Sequence, residues 1–130
     1  MGRYHGEEAW SKGYLMLVKE AISPKGSKIA ILPFKGRIDS KVASEIRQLF
    51  QQLINKGYPN ILVEMAEVTF LDSAGLGVLI AGMSKCRSAG GSLCLCQPSE
   101  AVQVVLNISA TERILTVFPD QTTAVQQFPT

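Results

Sequence analysis

Short apolar runs alternate along the chain with segments of helical periodicity. The runs from Tyr14 to Ile22 and from Ser27 to Phe34 predict two strands. Between them, Pro24, Lys25 and Gly26 predict a turn, because proline and glycine interrupt regular structure. We therefore expect an antiparallel hairpin at the start of the fold.

The next segment has the spacing of an amphipathic helix. Its apolar positions recur at helical intervals, at Val42, Ile46, Leu49, Phe50 and Leu53. Asp39 or Ser40 is the candidate N-cap, because either side chain can accept a hydrogen bond from an unpaired backbone N–H of the first turn. Gly57 is expected to end the helix, since glycine readily adopts the left-handed conformation found there.

The middle of the chain predicts a third strand, a connection and a second helix. The strand runs from Asn60 to Met65, and its continuous apolar centre, Ile61 to Val63, indicates a strand covered on both faces. Ala66 to Leu71 is expected to be the connection. The helix is expected to begin near Ser73 and to end at Gly90-Gly91.

The last third continues the alternation of strands and helices. A strand from Ser92 to Cys96 precedes a helix opened by Pro98 and Ser99, which runs from Glu100 to about Ile108. Ile114 to Phe118 predicts a short strand, and Asp120 is expected to cap a final helix that reaches Phe128. Together these elements predict an α/β domain at residues 14–130, with a mixed sheet of about four to five strands, mostly parallel after the hairpin, and about four helices.

Composition narrows the class of protein. The 130 residues fit one domain, and 46% hydrophobic against 18% charged residues is typical of a globular chain. A net charge of +2, without a basic block, predicts neither a nucleic-acid partner nor a membrane partner. Residues 1–13 are polar and are expected to form a flexible arm.

The three cysteines, Cys86, Cys94 and Cys96, are an odd number without the spacing of a disulfide framework. This pattern suits a reducing compartment, and we expect a cytoplasmic protein. On a strand, Cys94 and Cys96 would face the same way. A metal site would need further ligands, and the single histidine, His5, lies far away. We therefore expect buried apolar thiols, without a metal or a cofactor.

The densest local signal is the segment from Phe70 to Gly77, which follows a strand and opens a helix. Asp72 and Ser73 are both good capping residues, and Gly75 and Gly77 are expected to leave the helix start sterically open. A partner could reach a serine there, and a phosphate on it would meet the partial positive charge of the first turn. The alternative is that Ser73 only caps the helix.

Other chemistries fit this segment poorly. A nucleophile elbow requires glycine where Leu71 stands, and a triad would have to recruit His5. Gly75-Leu76-Gly77 lacks the third glycine of a dinucleotide fingerprint, and no Gly-Lys-Ser/Thr follows it. Glu64, Glu67 and Asp72 are too few for a cation site. We therefore predict no catalytic residues and no enzyme activity.

The order of elements and the residues together resemble the STAS domain of bacterial anti-sigma factor antagonists, from about Tyr14 to Gln127. Gly36-Arg37-Ile38-Asp39 resembles the family's Gly-x-hydrophobic-Asp motif before the first helix. The segment from Val68 to Gly77 resembles its signature loop and helix start. A third set of residues resembles the last helix–strand–helix stretch of the family: Gly90-Gly91-Ser92-Leu93-Cys94-Leu95, then Pro98, Val102 and Leu106.

The resemblance implies a phosphorylation switch. The unmodified protein would bind an anti-sigma factor that is also a serine/threonine kinase, and this binding would release the sigma factor. The kinase would then phosphorylate Ser73 and dissociate, and a serine phosphatase would reset the switch. The implied partner-binding residues are Asp39, Asp72, Ser73, Ala74, Gly75, Leu76 and Gly77.

Some alternatives remain open at this point. Within the same family, the chain could instead be a scaffold of a stressosome-like assembly or a transporter accessory subunit. Thr69 and Ser84 stay open as second acceptors of phosphate besides Ser73, and a homodimer is compatible with either function. Arg37 stands where the family commonly has an acidic residue, which reverses a charge at the expected docking rim.

Overall fold

The computed structural model describes residues 13–130 and centres on a five-stranded sheet in the order β1-β2-β3-β4-β5. β1 and β2 are antiparallel, and all later neighbours are parallel. The predicted hairpin and the mostly parallel mixed sheet are both confirmed. The strands are β1 (Lys19–Ile22), β2 (Lys28–Ile38), β3 (Asn60–Leu71), β4 (Leu93–Cys96) and β5 (Thr116–Phe118).

Helices connect the parallel strands, as the alternating pattern predicted, and a last helix follows β5. They are α1 (Ala43–Asn55), α2 (Ser73–Ser88), α3 (Glu100–Ser109), a short 3-10 helix (Thr111–Arg113) and α4 (Gln121–Gln126). Gly57 follows α1 with a φ of +96°, in the left-handed region expected of it. Asp120 caps α4 by accepting a 2.7 Å hydrogen bond from the Thr123 N–H, also as predicted.

The sheet is covered on both faces. Ile61 and Val63 of β3 lie in the larger core together with buried residues of α1, α2 and α3. Leu62, which points the other way, packs in a smaller core with Ala124 and Phe128 at the C-terminal end. This division explains the continuous apolar centre of β3, because adjacent strand residues must each enter a different core.

The first predicted strand is wrong over its N-terminal half, because β1 begins only at Lys19. Residues 13–15 are helical. Tyr14 packs edge-on against Phe34 with ring centroids 5.1 Å apart, and its hydroxyl oxygen accepts a 3.1 Å hydrogen bond from the Lys35 N–H. This tertiary anchor fixes Tyr14 against β2, and a local propensity for strand does not report such a contact. Of the predicted arm at residues 1–13, residues 1–12 lie outside the described residues, and Gly13 belongs to this helical turn.

The predicted connection from Ala66 to Leu71 is also wrong, because β3 continues to Leu71. β2 is longer than predicted as well and reaches Ile38, so this part of β3 has a strand to pair with. The register shifts between Pro33 and Lys35, and again between Gly36 and Arg37. These irregularities accommodate a proline and a glycine that otherwise argue against a long strand.

Neither predicted side chain caps α1. Its N-cap residue is Val42, and no side chain of the described residues supplies the cap hydrogen bond. Asp39 instead accepts a 3.0 Å hydrogen bond from the Lys41 N–H, which folds the loop after β2 into a tight turn. The Asp39 carboxylate therefore lies at the end of β2 and makes no hydrogen bond to the first turn of α1.

The three cysteines are buried free thiols, as predicted. Cys94 and Cys96 lie together in the smaller core, and Cys86 lies in the larger one. Burial raises the pKa of each thiol to about 12, because the surrounding apolar groups disfavour the thiolate.

We expect all three thiols to resist alkylation in the folded protein. Only the thiolate reacts, and at pH 8 the raised pKa leaves very little of it. Iodoacetamide should therefore modify none of Cys86, Cys94 and Cys96 at pH 8 on a timescale that labels all of them in guanidinium chloride. Intact mass spectrometry reads this directly, and rapid native labelling of any one thiol would contradict the buried placement.

Candidate functional site

The sequence-predicted site lies where the parallel strands β2 and β3 end side by side. Ile38 and Leu71, the last residues of the two strands, are paired in register. The Asp72 N–H donates a 3.4 Å hydrogen bond to the Ile38 carbonyl oxygen. This bond brings the residues that follow each strand, Asp39 on one and Asp72-Ser73 on the other, to the same edge of the sheet.

Asp72 is the N-cap of α2. Its backbone is extended, with φ −112° and ψ −174°, and its Oδ1 accepts a 2.9 Å hydrogen bond from the Gly75 N–H. Ser73 is therefore the first helical residue and is not the cap. Its side chain is exposed, and within residues 13–130 its hydroxyl makes no hydrogen bond. The structure thus separates the two roles that the sequence left open between these neighbours.

We expect Asp72→Ala to lower the free energy of unfolding by about 1 kcal/mol, because the Gly75 N–H loses its acceptor. Asp72→Asn keeps a side-chain oxygen in the same place and should cost much less. Urea titration of the two variants measures the difference. Equal losses in both would mean that the charge of Asp72, and not its hydrogen bond, stabilises the start of α2.

The two glycines of the site have different environments, and the prediction that both leave it open is wrong for Gly75. A Cβ on Gly75 would collide with the Ile38 carbonyl oxygen and would lie 2.9 Å from Leu71 Cδ1. Gly75 therefore lets the first turn of α2 pack directly against the end of β2. A Cβ on Gly77 would meet no neighbouring element within 4 Å, so this glycine does keep the surface open.

The predicted partner-binding residues divide by exposure. Leu76 is only 8% exposed and Gly75 is also buried, because helical periodicity turns both toward the core. The remaining predicted residues are accessible: Ser73 and Gly77 are exposed, and Asp39, Asp72 and Ala74 are half-buried. The surface available to a partner is therefore narrower than predicted.

Arg37 adds a cation beside this surface. Its Nε donates a 3.4 Å hydrogen bond to Asp39 Oδ2, and the Arg37 side chain is 64% exposed while that of Asp39 is 13% exposed. The guanidinium carbon lies 4.0 Å from the centre of the Phe70 ring, a cation–π contact across the two strands. The sequence singled out Arg37 but not Phe70 beneath it, whose role depends on the register between β2 and β3.

Ser99 is a further residue of the site that the sequence indicated only as a helix start. Its Oγ donates a 2.7 Å hydrogen bond to the Val68 carbonyl oxygen and accepts one of 3.3 Å from the Val102 N–H. The Ser99 N–H also donates to the Met65 carbonyl oxygen, at 3.3 Å. These bonds fasten the start of α3 to the part of β3 that leads into the Asp72-Ser73 loop.

Other features considered from the sequence are two further phosphate acceptors, a cation site and a membrane span. Thr69 is exposed near the end of β3. Ser84 is exposed on α2, where it lines a shallow groove between α1 and α2. Across the described part of the chain, no three potential metal ligands lie together, so Glu64, Glu67 and Asp72 do not form such a cluster. No helix within residues 13–130 has the length and apolar character needed to cross a membrane.

Comparison with known proteins agrees with this fold. The family model of the STAS domain matches residues 21–124. A predicted anti-sigma factor antagonist of Thermotoga neapolitana is 33% identical over 79 residues, which are 61% of this chain and 70% of that relative. The crystal structure of a predicted anti-sigma factor antagonist from Thermotoga maritima is 26% identical, with a TM-score of 0.70 over 83% of this chain and 91% of that one.

A more distant neighbour has been solved in two states of modification. The unphosphorylated form of the anti-sigma factor antagonist SpoIIAA is 18% identical, with a TM-score of 0.65 over 83% of this chain and 92% of that one. The phosphorylated form of SpoIIAA, from Bacillus, is 16% identical, with a TM-score of 0.59 over 83% and 96%. At these identities, the likeness to SpoIIAA shows the fold alone.

Proposed function

The chain belongs to the STAS domain family, and from that premise we propose that it is an anti-sigma factor antagonist switched by phosphorylation of Ser73. The unmodified protein binds an anti-sigma factor serine/threonine kinase in the cytoplasm and thereby releases the sigma factor. A serine phosphatase later removes the phosphate. In this function the chain binds partners and catalyses no reaction of its own. The names of its relatives support the proposal.

The main support for the proposal is that Asp72, and not Ser73, caps the start of α2. Asp72 accepts the hydrogen bond from the Gly75 N–H in the first turn of α2. The Ser73 hydroxyl is therefore not needed as a cap, and it stays exposed. In the transfer, Ser73 Oγ attacks the γ-phosphorus of ATP held by the kinase, and a new Oγ–P bond forms. The bond from that phosphorus to the oxygen of ADP breaks, and the hydroxyl proton passes to a base of the kinase.

The phosphate changes the docking surface more than it changes the fold. It adds about −1.5 to −2 charges at the N-terminal end of α2, where the helix dipole favours negative charge. At the same time it adds bulk beside the exposed Gly77 surface. A partner that packs an apolar or acidic surface there is repelled and must desolvate the phosphate, so phosphorylation ends the complex.

We expect Ser73→Ala to abolish labelling when purified protein is incubated with radioactive ATP and an extract of the source cells. Ser84→Ala and Thr69→Ala are the controls, because both residues are exposed hydroxyls that flank Ser73 in the sequence. These two variants should label like the parent chain. Undiminished labelling of Ser73→Ala would overturn the assignment of the acceptor.

A further inference from the structure

We propose that Arg37 is the internal partner of the phosphate on Ser73, an inference that rests on the proposed function and adds a regulatory contact to it. On modification, the Arg37 guanidinium exchanges its contact with Asp39 for the phosphate oxygens. The guanidinium would then hold the phosphate over the ends of β2 and β3.

The register of the two strands places Arg37 near the acceptor. Arg37 pairs with Phe70, and one residue farther along, Ile38 pairs with Leu71. The hydrogen bond from the Asp72 N–H to the Ile38 carbonyl oxygen then joins the two loops, and Ser73 is the next residue. Arg37 contacts Asp39, which follows β2 at this edge of the sheet. Its guanidinium therefore lies at the same edge as the acceptor.

The charges around the acceptor favour the exchange. Two carboxylates, those of Asp39 and Asp72, lie in the loops at this edge of the sheet. The basic residues on either side of Asp39 in the sequence are Arg37 and Lys41. Asp72 is engaged with the Gly75 N–H, so its carboxylate remains close to the modified residue. A cation that approaches the phosphate therefore relieves a local excess of negative charge.

Asp39 can release Arg37 without losing all its partners. Its Oδ1 accepts from the Lys41 N–H at 3.0 Å, and only Oδ2 contacts the guanidinium, at a long 3.4 Å. The Arg37 side of this pair is 64% exposed, and solvent weakens an ion pair of this kind. A phosphate with two negative charges offers Arg37 shorter and stronger hydrogen bonds, in the bidentate geometry that guanidinium favours.

Phe70 makes the contact specific to arginine. Its ring centre lies 4.0 Å from the guanidinium carbon of Arg37. Such a contact favours a delocalised planar cation. A lysine at position 37 would retain the positive charge but would lose both the stacked geometry and the fork of donors.

The test uses phosphoserine installed at position 73 during translation, in the full chain, so that no kinase is needed. Phosphorus NMR follows the titration of the phosphate with pH. We expect Arg37→Ala to raise its second pKa by about 0.5 to 1 pH unit, because the dianion loses its cation. Arg37→Lys should give an intermediate value, and 1 M salt should reduce the difference.

Lys25→Ala is the matched control, because Lys25 is an exposed cation in the turn before β2, at the opposite end of that strand. It should leave the titration unchanged. Equal pKa values in the parent chain and in both alanine variants would overturn the proposal, and so would a shift of the same size in Lys25→Ala. Labelling by cell extract tests the phosphorylation of Ser73 separately, so the two failures are distinguishable.

Discussion

Replacing Gly75 with alanine is expected to lower the free energy of unfolding by about 1 to 3 kcal/mol, which is typical of overpacking a well-packed interior. The added methyl group would collide with the Ile38 carbonyl oxygen, and the backbone of a strand paired with β3 cannot move aside as a flexible side chain can. Either α2 shifts away from β2 or its first turn unwinds. Both responses displace Ser73 from its position beside Asp39.

Gly77→Ala is the matched control on the same helix, only two residues away. Its methyl group would enter open space, so only helix propensity should change, with a gain of about 0.5 to 1 kcal/mol. Urea denaturation of both variants measures the two effects, which should have opposite signs. If both variants gain stability, then α2 does not approach β2 as closely as the structure shows.

Replacing Ser73 with alanine is expected to lock the protein in its partner-binding form. The parent chain should bind the kinase from cell extract and release it when ATP is added. A phosphate juxtaposed with the docked partner costs several kcal/mol, which weakens the complex more than about tenfold. The Ser73→Ala protein has no acceptor and should retain the kinase. Pull-down with the tagged protein, with and without ATP, measures the bound kinase.

Ser84→Ala should behave as the parent chain does in the same pull-down, since it removes an exposed hydroxyl farther along α2. Ser73→Asp should show a smaller release than true phosphorylation, because aspartate carries about half the charge of a phosphate and less bulk. If the Ser73→Ala protein released the kinase as fully as the parent chain, release would not depend on this serine.

Much of the architecture could be predicted because its signals are local. Helical spacing located α1, and the continuous apolar run at the centre of β3 indicated a strand covered on both faces. The Asp72-Ser73 pair marked the start of α2, since capping chemistry acts within one turn. These predictions needed no knowledge of which elements meet in space.

The features that the sequence predicts wrongly, such as the role of Gly75 and the conformation at Tyr14, depend on tertiary contacts. Gly75 and Gly77 look alike in the sequence, and only the packing of α2 against Ile38 makes one of them a close-contact glycine. The apolar neighbours of Tyr14 predict a strand, whereas the Phe34 ring and the Lys35 N–H anchor this residue in a helical turn. Short-range pattern cannot report such partners.

Mass spectrometry of the protein isolated from its native cells decides whether Ser73 carries phosphate. Trypsin leaves Thr69, Ser73 and Ser84 together in one peptide, residues 57–85, so fragment ions between these positions must locate the phosphate. We expect phosphate on Ser73, in a fraction that varies with growth conditions. Abundant protein without phosphate on Ser73 under every condition, or with phosphate only on Thr69 or Ser84, would contradict it and would favour a scaffold function.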